Sequence, residues 1–134
     1  MSLQKVINEF WDNQAQPALM RYIEIPAKST AYDRLWESHG FLKQCCELGK
    51  NWIKEVLPSA NVEIIEEKGK TPCLLVDIPA TEKNCEHSVV FYGHLDKQPE
   101  AGGWREGLGP WTPVVENGKL YGRGAADDGD SLFS

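Results

Sequence analysis

Nowhere in this sequence do eighteen apolar residues run together, and the N-terminal stretch MSLQKVINEFWDNQ has no apolar core of the kind a secretory leader carries. A spanning helix and a usual signal peptide are therefore not expected. Runs of like charge are also missing. Twenty acidic and fourteen basic residues are spread along 134 positions for a formal charge of -6, which disfavours nucleic acid or an anionic membrane as a partner and reads as a solvated acidic surface. Of the four cysteines, Cys45 and Cys46 are adjacent and Cys73 and Cys85 isolated, so there is neither a disulfide framework nor a Cys-x-x-Cys zinc spacing. Reduced thiols in a cytoplasmic protein are the expectation. A phosphate-loop Gly-Lys-Ser/Thr and a His-Glu-x-x-His are absent, and the acids around Asp127 do not fall at the spacing of a calcium loop.

What is present is an ordinary globular composition, 41% apolar and 25% charged, long enough to bury a core. Leu3, Val6, Ile7 and Phe10 recur at helical spacing, and Leu19, Met20 and Ile23 resume it after Pro17, predicting one helix kinked or restarted there and ended by Pro26. A second helix is expected over about 35–57, with Phe41, Leu42, Cys45, Leu48, Trp52, Ile53 and Val56 on one face and Pro58 as the stop. Val62 to Ile65 and Leu74 to Ile78 read as an antiparallel strand pair turning at Lys68-Gly69-Lys70. Ser88 to Tyr92 is a continuous apolar run, the mark of a strand buried on both faces. Asn117-Gly118 predicts a tight hairpin between 112–116 and 119–121, because both turn positions need positive φ. The fold class is α/β.

Chemistry concentrates in two clusters, Gly93-His94-Leu95-Asp96 and Gly122-Arg123-Gly124-Ala125-Ala126-Asp127-Asp128-Gly129. In open α/β sheets ligands gather at the carboxyl ends of strands, where the expected Ser88–Tyr92 strand would deliver His94 and Asp96. A lone histidine at a strand end is more often structural than a ligand. Asp96, two residues on, can accept the second imidazole N–H and raise the basicity of the other nitrogen, which favours a metal site. Asp127 follows a stretch of small residues that would let backbone approach an ion, and its carboxylate could bridge two cations. Asp128 and Asp130 suit a helix N-terminus, with Asp128 a cap or a supporting acceptor. So short a helix is marginal without packing, and 131–134 are expected to fray. A metal-free carboxylate pair, Asp96 with Asp127, could serve glycoside hydrolysis, but the histidine argues for metal. Trp104 and Trp111, between the clusters, are expected to pack rather than line a substrate rim.

The ordered set Gly-His-Leu-Asp, Lys97-Gln98-Pro99, Gly103-Trp104, Gly109-Pro110-Trp111, Gly118-Lys119-Leu120-Tyr121-Gly122-Arg123-Gly124 and Ala126-Asp127-Asp128-Gly129 resembles the co-catalytic zinc exopeptidase family of carnosinases and other cytosolic dipeptidases, aminoacylases, carboxypeptidase G, acetylornithine deacetylase and succinyl-diaminopimelate desuccinylase. The resemblance implies the N-terminal part of a zinc-peptidase-like three-layer domain, a mixed central sheet flanked by helices, over residues 1–134. It implies two zinc ions, His94 as a terminal ligand of one, Asp127 as the bridging carboxylate, Asp96 as the catalytic-site acid that orients His94, and a cis Asp127–Asp128 peptide bond. The family's general-base glutamate, its other ligands and its lid or dimerisation domain have no counterpart among these residues. The implied reaction is metal-assisted hydrolysis of a dipeptide or N-acyl amino acid amide bond, with a homodimer possible for the intact enzyme and these 134 residues inactive alone. The rival expectation is a naturally truncated, non-enzymatic interaction protein.

Overall fold

A computed structural model describes residues 2–133. The chain opens with α1 (Leu3–Phe10), N-capped by the Ser2 hydroxyl, which accepts from Lys5 N–H. A π-helical turn, Trp11–Ala15, leads into α2 (Gln16–Glu24). Pro17 explains that turn: it has no N–H to give the preceding turn, and the wider loop instead closes with Gln16 N–H on the Trp11 carbonyl. The restart at Pro17 is thus a bulge within a continuous helical run. Ile25 is extended, with ψ 118°, as the residue before a proline tends to be, and Pro26 ends the helix.

The expected helix over 35–57 divides into α3 (Trp36–His39) and α4 (Phe41–Val56). Gly40 separates them, with φ +70°, a left-handed position that costs a residue without a side chain little. Asp33 steadies α3: its carboxylate accepts the Leu35 N–H at 3.0 Å and stands 2.8 Å from His39 Nδ1.

Strands β1 (Asn61–Ile65) and β2 (Cys73–Asp77) form the expected antiparallel pair, with Val62 opposite Val76 and Ile64 opposite Leu74. Those four residues turn toward α4, and the alternate residues Ile65, Cys73 and Leu75 stay exposed, as the two-residue period of a strand requires. Strands β3 (Val114–Glu116) and β4 (Lys119–Tyr121) pair across Asn117 and Gly118, whose φ values of +52° and +71° are those of a tight hairpin.

The run Ser88 to Tyr92 departs from expectation. It adopts no strand, and Val89, Val90, Phe91 and Tyr92 are 77%, 91%, 90% and 88% exposed. An apolar run becomes a doubly buried strand only where ladders are available on both sides. The described strands instead form two separate two-stranded sheets, and neither pairs with this segment. The architecture is therefore mixed helix and strand without a central sheet among the described residues.

The core lies between α2 and α4. Ala18, Leu19, Tyr22 and Ile23 from α2 meet Leu42, Cys45, Trp52 and Ile53 from α4, together with Val62 and Phe133. Burial of each large side chain stabilises by about 1.5–3 kcal/mol. Phe133 corrects a further expectation. In place of a short helix from Asp128 with 131–134 frayed, the chain forms a 3₁₀ turn, Gly129–Leu132, and inserts Phe133, 1% exposed, between Tyr22 and Trp52 at ring separations of 5.8 and 5.1 Å. Ser134 lies outside the described residues. The four thiols are free, Cys45 and Cys46 buried and Cys73 and Cys85 exposed; burial pushes the Cys45 thiol up to about 12.

Candidate metal centre

Two irregular arms carry the chemical residues, and α2 holds both. The first arm, 93–97, is pinned by backbone bonds from Lys97 N–H to the Ala27 carbonyl at 2.8 Å and from Ser29 N–H to the Lys97 carbonyl at 2.9 Å. The Tyr22 hydroxyl donates to the Leu95 carbonyl at 3.0 Å. The second arm, 122–130, lies on the same tyrosine. A Cβ on Gly124, where φ is +85°, would stand 2.7 Å from Tyr22 Cε1 and 2.9 Å from Lys97 Cε, and one on Gly129 would overlap the Tyr22 ring. The small residues of this arm are expected from the sequence to admit an ion. At Gly124 and Gly129 they admit α2, because the tyrosine ring leaves no room for a methyl group.

The arms meet at Asp128, whose Oδ2 accepts the backbone N–H of His94 at 3.3 Å. Of the two roles considered for Asp128, cap and supporting acceptor, the structure shows the second: its side chain makes no cap bond to the 3₁₀ turn. The Asp127–Asp128 peptide bond is cis, as expected.

His94 occupies the junction. Its Nδ1 faces the Asp96 main-chain oxygen at 3.0 Å and Asp96 Oδ1 at 3.1 Å. Both are acceptors, so Nδ1 carries a proton, and in the neutral ring Nε2 is the nitrogen that holds the lone pair. That lone pair is directed to the acidic side of the cluster, where Nε2 lies 3.8 Å from Asp127 Oδ1 and 4.0 Å from Asp128 Oδ2. Two donors that share a tetrahedral zinc ion through bonds of about 2.0–2.2 Å stand about 3.4 Å apart, and the 3.8 Å between His94 and Asp127 is a few tenths of an ångström wider than that. Their nitrogen and oxygen donors are of the types that suit zinc. The pair is open to water, with the Asp127 side chain 66% exposed. Among the described residues no three His, Cys, Asp or Glu side chains converge to hold an ion, so the chain presents an edge of a site rather than a closed one.

Beneath this edge lies a residue that the sequence marks only as part of the ordered motif, without a role of its own. Lys97 is 1% exposed, and its ammonium reaches the carbonyls of Tyr22, Ile25 and Ile23 at 2.5, 2.6 and 3.3 Å. It also stands 3.9 Å over the Tyr22 ring and 5.4 Å from that of Trp111. Burial pushes the Lys97 pKa down to about 8 and holds the Tyr22 phenol well above its ordinary range. Trp111 is half-buried with its ring toward Lys97, and Trp104 donates to the Glu100 carbonyl at 2.8 Å. Lys28 and Glu100 pair at 2.8 Å, which lowers the Glu100 carboxyl.

Comparison with known proteins falls on this same region. The pattern of peptidase family M20/M25/M40 matches residues 90–134. The Beta-Ala-His dipeptidase of Rattus norvegicus is 44% identical over 59 residues, covering 42% of this chain and 11% of that protein. The succinyl-diaminopimelate desuccinylase of Anaplasma marginale (strain Florida) is 46% identical over 44 residues, covering 33% and 11%. An uncharacterized metallohydrolase of Methanocaldococcus jannaschii is 30% identical over 101 residues, covering 69% and 24%. The chain thus spans between 11% and 24% of the length of these relatives. Residues 90–134, the segment that carries His94, Asp96, Asp127 and Asp128, are thus similar to peptidase family M20/M25/M40.

Proposed function

We propose that this chain supplies one wall of a two-zinc site that hydrolyses a dipeptide or N-acyl amino acid amide bond, within a cytoplasmic enzyme of three-layer catalytic domain. The observation that carries the reading is the His94 Nε2 to Asp127 Oδ1 separation of 3.8 Å, with the opposite ring nitrogen already engaged by Asp96. In this reading His94 is a terminal ligand of one ion, Asp127 bridges the two, and Asp96 fixes the tautomer that leaves Nε2 free. Asp128 holds the His94 backbone and so sets the height of the ring above Asp127. Bound zinc would supply a nucleophilic water at neutral pH and polarise the scissile carbonyl. The general base, the remaining ligands and a lid or dimerisation domain are assigned to parts of a longer protein, and the 134 residues alone are inactive. The exposed run Val89 to Tyr92 is what favours the second reading, a non-enzymatic protein that binds a partner through this surface.

Metal titration of the 134-residue chain tests the leading reading. Cobalt(II) is expected to bind, with affinity falling at least tenfold in His94→Ala and in Asp127→Ala, while no dipeptide is cleaved. Equal binding by all three chains would refute the assignment of ligands. Zinc-dependent turnover by this chain would refute its inactivity.

A further inference from the structure

Lys97 has no part in the chemistry proposed above, yet its burial and contacts are the most elaborate of any charged group in the structure. An ammonium has three N–H donors and no acceptor, and here each finds a main-chain oxygen: Tyr22, Ile23 and Ile25. These are carbonyls of the last turn of α2 and its C-cap, at the negative end of the helix dipole; those of Tyr22 and Ile25 also accept the backbone N–H of Ile25 and Ala27, so the ammonium adds a second donor to each. Tyr22 and Trp111 present ring faces to the same charge. Every one of these contacts is a dipole or a ring, none a carboxylate. The ammonium is therefore held by the geometry of α2, and by little else that could follow it if α2 moved.

The position of Lys97 in the chain gives that grip a consequence. It directly follows Asp96, the residue that holds His94 Nδ1, and its own backbone is bonded on both sides to Ala27 and Ser29. Leu95, between His94 and Asp96, is tied by its carbonyl to the Tyr22 hydroxyl, and the Lys97 ammonium lies over that same ring. Gly124 of the second arm rests on Lys97 Cε and Tyr22 together. Lys97 thus touches α2 and Gly124 of the Asp127 arm, and in the chain it directly follows the His94–Asp96 pair.

We infer that Lys97 is a positioning residue for the metal-facing pair: by clamping the C-terminal carbonyls of α2 it fixes the 94–96 arm so that His94 Nε2 stays turned toward Asp127. The inference rests on the reading of His94 and Asp127 as ligands, but the orientation of the imidazole can be measured without metal. A lysine that merely fills the core would affect stability and leave the histidine tautomer alone.

The test compares the 134-residue chain with Lys97→Met, which keeps the length of the side chain and removes its donors. In metal-free protein, two-bond nitrogen–proton NMR spectra report which nitrogen of His94 is protonated. The wild-type chain is expected to show the Nδ1–H tautomer, and folded Lys97→Met a mixture of tautomers with at least fivefold weaker cobalt(II) binding. Lys97→Gln, which still donates to carbonyls, is expected to fall between the two and serves if the methionine variant does not fold. Ile53→Ala, a core change far from the arms in sequence, is expected to lower stability with no change in tautomer. An unaltered tautomer in folded Lys97→Met or Lys97→Gln overturns the inference, as does an equal change in Ile53→Ala. Failure of both Lys97 variants to fold overturns it too, assigning the lysine to the core alone. If wild type and His94→Ala bind cobalt equally, the ligand reading fails while the tautomer still decides the role of Lys97.

Discussion

Replacing Phe133 with alanine examines how the second arm is anchored. The ring is 1% exposed and lies against Tyr22 and Trp52, tilted on the first and edge-on to the second. A buried aromatic side chain removes about 150–250 Å² from water, which at about 25 cal/mol per Å² amounts to roughly 4–6 kcal/mol. Alanine keeps the Cβ and its neighbours partly relax into the space, so the expected loss is about 3–5 kcal/mol, the range for phenylalanine truncations in cores. That is a large share of a domain stability of about 5–15 kcal/mol, and at roughly 3–5 °C per kcal/mol it corresponds to a fall in Tm of about 9–25 °C. Urea unfolding followed by tryptophan fluorescence measures it directly, since the Trp52 indole packs edge-on against the ring being removed. The slope against urea should be unchanged. Because Phe133 lies five residues beyond Asp128, amide exchange at His94, whose N–H is bonded to Asp128, should quicken as well. A loss below about 1 kcal/mol, well under the range for a buried aromatic ring, would refute the reasoning, showing that the C-terminal turn is not packed as described.

Two further outcomes are expected. The His39 hydrogen bond, the first cause, and the Leu35 N–H together hold the Asp33 carboxyl below its ordinary value; the stabilisation is present above the ordinary carboxylate pKa of about 4 and lost as pH falls through the lower folded value, so Asp33→Asn should flatten this part of an acid unfolding curve, and an unchanged curve would argue against the pair. The exposed strip Val89 to Tyr92 has strand-forming residues, no charge and no proline, the composition of a segment that pairs with copies of itself; light scattering should show self-association at high concentration that Val90→Lys suppresses, and monomers throughout would refute it.

Much of the architecture is legible in the sequence because it depends on local chemistry. Asn117-Gly118 is readable as a turn from two residues, and β1 and β2 from alternation. Pro17 marks the bulge in the first helical run by its missing N–H, and Pro26 marks the end of that run by its clash with the preceding residue. The break at Gly40 is not legible, because a glycine within an apolar period is often tolerated. Ser88 to Tyr92 misleads because burial belongs to the neighbours of a strand, and an apolar run cannot report whether ladders exist beside it. Phe133 gives no signal, since four residues after an acidic cluster carry no period. The Asp96–His94 orientation is foreseeable because two residues of separation suffice to bring a carboxylate to an imidazole.

The sequence by itself determined where the helical runs and the two hairpins lie and which residues carry the chemistry, because periodicity, turn chemistry and an ordered motif are properties of neighbours in the chain. Tertiary structure alone decided that Asp128 would bond the His94 backbone 34 residues away, that Gly124 and Gly129 would make room for Tyr22, and that Lys97 would lie under the end of α2. Each of these depends on where a helix formed by residues 16–24 comes to rest against two distant loops. That placement follows from burying Tyr22, Ile23 and Phe133 in one core, which no local pattern encodes.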